Sequence, residues 1–213
     1  VLRTYEKPTG DLVHDMDQAV RNMREIVPVC ADLGIQIAFE NHEYETSSDI
    51  VDVIERVGSE WIGALVDTGN SMTVWEDPIQ AVKTLAPYAV STHFKDHVVF
   101  IEDDEQKVAG VTLGTGSIDC AECFRILRDE SSISRVNIEV CYGYSAPFRR
   151  EKPTDFQNDS PAFAVIPSPY DPSWIAPSTH LRSDMEDQNL PKWQDQSVVA
   201  SVEYVKKIES TLS

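Results

Sequence analysis

Between residues 11 and 33 apolar side chains recur at helical spacing, through Leu12, Met16, Ala19, Val20, Met23, Val27, Cys30 and Leu33, and Gly34 follows as a stop. The spacing predicts an amphipathic helix over 11–33. Directly after it, Ile35-Gln36-Ile37-Ala38-Phe39-Glu40 is a short, mostly apolar run suited to a strand covered on both faces. The unit then repeats. A helix over 47–57, closed by Gly58, leads into a strand over 62–67, and a helix over 78–85 leads into a strand over 89–94. Helices alternating with buried strands predict a parallel sheet with helical cover. Residues 98–101 and 108–113 flank Glu102-Asp103-Asp104-Glu105 and are expected to pair as a hairpin; a helix over 118–128 and a strand over 136–140 then resume the alternation. Val1-Leu2 is a candidate for one more strand.

From 142 to 196 the pattern fails. Most of the chain's 12 prolines lie here, together with Phe148, Phe156, Phe163, Trp174 and Trp193. A structureless loop of that length is unusual in a compact domain. The aromatics are anchors that a free linker does not need, so an arm or lid packed on the body, or on a neighbour, is expected. A last helix is expected over 198–212. The expected organisation is therefore a body over 1–141, a Pro-rich arm over 142–197 and a terminal helix over 198–213.

The formal net charge of −18 changes the functional picture more than the ordinary 25% of charged residues does. Such a field repels phosphate backbones, which argues against nucleic acid and anionic membrane as partners. Part of it can serve a cation. No run of 18 apolar residues occurs and the chain opens on nothing like a signal peptide, so a cytoplasmic protein is expected. Of the cysteines at 30, 120, 123 and 141, only Cys120-Ala-Glu-Cys123 has a redox or metal spacing, and it falls inside a predicted helix. Structural thiols are expected.

Chemistry gathers at the strand ends. Glu40, Asp67, His93 and Glu139 close four apolar strands, and in a parallel sheet those C-terminal ends lie side by side. Any one of them is readily explained as a surface cap. Four together are costly unless that face needs charge. Three carboxylates and an imidazole make a hard-to-borderline cage for a divalent metal, with positions left for substrate oxygens.

At these residues the chain resembles a known family. Ile37-Ala38-Phe39-Glu40-Asn41-His42, Leu65-Val66-Asp67-Thr68-Gly69-Asn70, Thr92-His93-Phe94-Lys95-Asp96, Leu113-Gly114-Thr115-Gly116-Ser117-Ile118-Asp119 and Asn137-Ile138-Glu139-Val140 are similar, in order and spacing, to consecutive motifs of the xylose-isomerase-like TIM barrel superfamily. The likeness covers residues 11–140. It implies an α/β fold of (β/α) barrel type and one divalent ion, Mn²⁺ or Mg²⁺, held by Glu40, Asp67, His93 and Glu139. It also implies a sugar or keto-sugar substrate and an isomerase or epimerase, with lyase and decarboxylase relatives of the same barrel as alternatives. Glu40 and Glu139 correspond to the pair that moves protons. A carboxylate beside a chelated hydroxyketone can take the carbon-bound proton while the metal stabilises the enediolate.

His42 and Lys95 each lie two residues beyond a ligand, on the same strand face, and are candidates for substrate contact. His42 can equally hydrogen-bond near the barrel mouth, and Lys95 can neutralise excess carboxylate. Asn70 is a weaker candidate. Arg149, with Arg150, can receive a carboxylate or phosphate or be an exposed basic pair. Counting Val1-Leu2, five strands stand where this barrel class has eight, so the N-terminal three β/α units are expected to be lacking from the sequence. A truncated product, a fragment, or a barrel completed by a homo-oligomer or second chain would account for that. A non-catalytic binding or assembly subunit and a phosphodiesterase of the same barrel are the competing functions, the latter disfavoured by five histidines and strong acidity.

Overall fold

The Asp11 side chain accepts the His14 N–H and starts helix α1, Leu12–Leu33, which ends where Gly34 turns left-handed at φ 65°. The computed structural model describes residues 9–42, 44–102, 104–154, 156, 160–167 and 190–212. The expected strand at Val1-Leu2, the acidic-turn residue Asp103 and the anchor Trp174 lie outside the described residues. After α1 come β1 (Ile37–Glu40), α2 (Ser47–Val57), β2 (Ile62–Asp67), α3 (Pro78–Leu85) and β3 (Ala89–His93), with a short 3₁₀ turn over Asn70–Val74. Thr46 and Asp49 form a reciprocal capping box at the start of α2, and Asp77 with Pro78 starts α3.

β1, β2 and β3 form a parallel sheet in that order, with Glu40 opposite Leu65 and Asp67 opposite His93. One face packs under the helices. Phe39, Ala64, Val66 and Thr92 are buried there with Ile50, Val53, Val82 and Leu85 of α2 and α3. At about 25 cal/mol per Å² of apolar surface removed from water, this layer is the main source of stability. The other face, carrying Ala38, Leu65 and Ser91, is only half buried. Among the described residues β1 stands at the sheet's edge, and the outer stripe of α1 exposes Val29 and Leu33.

The strand expected over 136–140 is reduced to a single parallel bridge between Phe94 and Ile138. Its two backbone bonds run from Phe94 N–H to Asn137 C=O and from Glu139 N–H to Phe94 C=O, at 2.7 and 3.1 Å. The reason is local. Asn137 gives its N–H to the Thr92 hydroxyl rather than to a backbone carbonyl, so the ladder stops while the register survives.

A second sheet of four strands follows, larger than the hairpin that the sequence predicts. β4 (Asp96–Glu102) and β5 (Glu105–Val111) form the expected hairpin, each starting earlier than predicted. β6 (Ser145–Pro147) adds to β5 and β7 (Val165–Ile166) to β4, giving the order β6-β5-β4-β7. The expected 118–128 helix is α4, Cys120–Glu130, and the terminal helix α5, Leu190–Leu212, begins eight residues before the expected 198. Part of the Pro-rich stretch is therefore strand and helix. Its aromatics gather on Trp75: Phe148 stacks on it at 3.6 Å, and Phe156 and Phe163 complete the cluster. Trp193 lies on α5 and is 36% exposed.

Among the described residues no helix is long and apolar enough to cross a membrane. All four cysteines are free thiols; Cys120 and Cys123 are buried on α4, where burial pushes both thiols far up.

Candidate metal centre

Glu40, Asp67 and His93 are the last residues of β1, β2 and β3, and the Ile138 bridge sets Glu139 beside them. One potential ligand atom from each of the four lies within 4.8 Å of every other. His93 Nδ1 is 2.8 Å from Glu40 Oε1, 3.3 Å from Glu139 Oε2 and 3.9 Å from Asp67 Oδ2. Lys95 Nζ lies 2.7 Å from Asp67 Oδ2 and 2.6 Å from Glu139 Oε2.

What holds the ligands apart at this spacing is side-chain chemistry beyond the strand ends. Asn41 accepts the Asp67 N–H at 2.9 Å and donates to the Asp67 C=O at 3.0 Å. Thr68 repeats the device one strand on, donating its hydroxyl to the Lys95 C=O at 2.7 Å and accepting the Lys95 N–H at 2.9 Å. Asp67 is also fixed as a side chain, because its Oδ1 accepts the N–H groups of Gly69 and Asn70. That leaves Oδ2 turned to the cluster.

The electrostatics follow from burial. The Asp67 side chain is fully buried, which pushes its carboxyl up, while Lys95 and the Asn70 N–H oppose the rise. Burial also raises Glu40, but the hydrogen bond from His93, with the charges of His93, His42 and Lys95, outweighs it and leaves that carboxyl below its ordinary value. His93 is raised, first by its bond to Glu40. Burial disfavours the Lys95 ammonium, yet Asp67 and Glu139 raise its pKa well above the usual range.

A divalent ion fits this donor set. Asp67 Oδ2 and Glu139 Oε2 are buried atoms that make no hydrogen bond of good geometry, although both are within ion-pair reach of Lys95. Oriented carboxylate oxygens without hydrogens of their own, next to an imidazole, suit Mg²⁺, Mn²⁺ or Zn²⁺. A cavity of about 290 Å³ lined by Gln36, Ser91, Arg135 and Asn137 lies instead at the opposite ends of the strands and holds no such cluster.

Residues 3–156 match the family described as Xylose isomerase-like TIM barrel. The chain belongs to that family. It is 25% identical over 123 residues to the 3-oxo-isoapionate decarboxylase of Pectobacterium atrosepticum, which covers 56% of this chain and 45% of that one. It spans about half the length of the curated relatives it matches, 49% and 45%. A xylose isomerase domain protein from Planctomyces limnophilus superposes with a TM-score of 0.60 over 98% of this chain and 58% of its own, at 17% identity. The IOLI protein, solved with a zinc atom, gives a TM-score of 0.53 over 66% of this chain and 52% of its own, at 19% identity.

The other expected site residues of this xylose-isomerase-like chain stand as follows. His42 is exposed, and its charge reaches Glu40. Lys95 is at the centre of the cluster. Asn70 is buried, its side-chain amide donating to the Asn41 C=O at 3.1 Å. Arg149 donates its backbone N–H to the Thr73 C=O at 2.8 Å, which sets it over the turn that follows Asp67. Arg150 is committed elsewhere, to the Tyr44 C=O and the Asp49 carboxylate.

Asn41, Thr68 and Asp96, which hold the site's main chain in place, lie outside the set of site residues that the sequence predicts. Asp96 is buried and accepts the N–H groups of Gly114, Gly116 and Ile118, which folds the Leu113–Asp119 loop onto β4. A Cβ at Gly116 would strike the Asp96 carboxylate, so glycine is required there. The available signal was an Asp next to a strand start, followed by a Gly-x-Gly loop.

Proposed function

We propose that this chain carries the metal-binding side of an enzyme that moves a carbon-bound proton in a sugar or sugar-derived hydroxyketone, as an isomerase or epimerase. The observation that supports it most is the convergence of three carboxylates and one imidazole within 4.8 Å at one end of the parallel sheet. Glu40, Asp67, His93 and Glu139 would hold one divalent ion. When bound, the ion supplies positive charge that stabilises the enediolate as the proton leaves.

The proton itself falls to the carboxylates. Glu139 has a side chain 42% exposed, against 8% for Glu40, so it meets a substrate arriving from the open face. Glu40, tied to His93, is the second member of the pair and acts on the opposite side of the carbon. Exposed His42 orients a substrate hydroxyl, Lys95 attracts an oxygen that gains charge, and Asn70 and Arg149 bound the pocket. The decarboxylase relative favours a second reading, in which loss of CO₂ from a 2-hydroxy-3-keto acid leaves an enediolate and a protonated carboxyl group then delivers a proton to its carbon.

The test is incubation of the purified, Mn²⁺-supplemented protein in D₂O with ketoses and keto-sugar acids, followed by NMR and CO₂ measurement. Deuterium at one carbon is expected, and CO₂ release marks the second reading. Glu139→Gln at measured full metal occupancy should lower turnover at least about a hundredfold with substrate binding largely kept, since an amide cannot accept the proton. Robust turnover in that variant reduces Glu139 to coordination.

A further inference from the structure

Lys95 reaches the centre from a position it cannot easily leave. Its main chain is clamped on both sides by the Thr68 hydroxyl, and its side chain is 6% exposed. The aliphatic stem lies against Gly69, where an added Cβ would come within 2.9 Å of Lys95 Cγ. Its ammonium then meets one oxygen of Asp67 and one of Glu139, and these are the same oxygens that face His93. Asp67 has no second oxygen to offer, since its Oδ1 already accepts two N–H groups.

We propose that Lys95 is a built-in competitor for the metal: its ammonium and a divalent ion draw on the same two oxygens, so Lys95 weakens metal binding. The inference rests on the metal-centre reading above. Electrostatics makes the competition unavoidable. Two cations sharing a pair of buried oxygens repel each other across a few ångströms of weakly screening protein, and the repulsion doubles for a divalent ion. Lys95 also brings the three carboxylates from a charge of −3 to −2, which matches a divalent ion and removes the excess that would make binding tighter still.

Mn²⁺ titration by calorimetry, at fixed pH and ionic strength, compares the wild-type protein with Lys95→Met and Lys95→Arg. Lys95→Met is expected to bind Mn²⁺ tighter by about tenfold or more, and Lys95→Arg no tighter than wild type. Equal or weaker binding by folded Lys95→Met overturns the proposal and makes Lys95 a scaffold for the ligands. Absence of Mn²⁺ binding in all three proteins overturns the metal-centre reading as well. Should Lys95→Met not fold without metal, acetylation of the wild-type protein followed by mass spectrometry decides. Mn²⁺ is then expected to speed labelling of Lys95 several-fold, and unchanged protection overturns the proposal.

Discussion

The carboxamide of Asn41 joins the main chain of Asp67 on both sides, accepting its N–H at 2.9 Å and donating to its C=O at 3.0 Å. It does for the ends of β1 and β2 what a ladder pair does inside a sheet. Asn41→Ala leaves both buried groups without partners, at roughly 1 to 3 kcal/mol each. A loss of about 2 to 4 kcal/mol in denaturant unfolding is expected, together with weaker Mn²⁺ binding. If stability falls and Mn²⁺ affinity does not, Asn41 supports the sheet without setting the ligand spacing.

Asp96 should leave a mark on the pH dependence of stability. Burial pushes its carboxyl up to about 6, against backbone N–H groups of Gly116, Ile118, Gly114 and His97 that favour the ionised form. In the unfolded chain the group titrates near 3.9. Between those values the native state binds the proton and the unfolded state does not, so this contribution is complete below about pH 4 and fades as pH rises through about 6. A shift of about two units corresponds to roughly 3 kcal/mol. Unfolding free energies at pH 4.5, 5.5 and 7, compared with those of Asp96→Asn, isolate the effect. Parallel curves for the two proteins would show that Asp96 does not titrate in that window.

Phe148 lies flat on Trp75, with ring planes 7° apart, and Trp75 Nε1 donates to the Arg150 C=O. Phe148→Ala removes the stack that ties the end of β6 to the turn after Asp67. A stability loss of about 2 kcal/mol is expected for this half-buried ring, below the range for fully buried phenylalanines. Hydrogen exchange should quicken in β6 and β7 while β1 to β3 keep their protection. Uniform quickening would mean that the stack supports the whole core, on which these rings also pack, and not this segment alone.

The thiols offer a direct check on burial. Cys30, Cys120 and Cys123 are buried, and burial pushes Cys141 up to about 11. A thiol reagent at pH 8 should therefore modify the native protein slowly and the unfolded protein fast, since the thiolate is the reactive form. Fast labelling of Cys120 or Cys123 in the native state would contradict the packing of α4.

The alternation of helix and strand was legible because strands buried on one face and half-buried on the other still read as apolar runs, as in Ile62–Asp67. The cluster was legible because ionisable residues ended those runs. Other features depend on partners remote in sequence. Nothing in Val136 or Val140 betrays that Thr92 takes the Asn137 N–H and ends the ladder after one bridge. Strands of three and two residues, β6 and β7, are too short to show a period. Pro191 hid the start of α5, although proline is tolerated in a first turn. The grip of Asp96 on the Gly114–Ile118 loop joins residues far enough apart that only the folded chain displays it.

Between β3 and β4 only Phe94 and Lys95 intervene, and Phe94 is the residue bridged to Ile138. The two sheets are thus hinged on a dipeptide whose first member sets Glu139 in place and whose second reaches into the carboxylates. The register of the hairpin and the placing of Glu139 therefore pass through the same two residues, and the Thr68 hydroxyl holds the second of them to the end of β2 at both its N–H and its C=O.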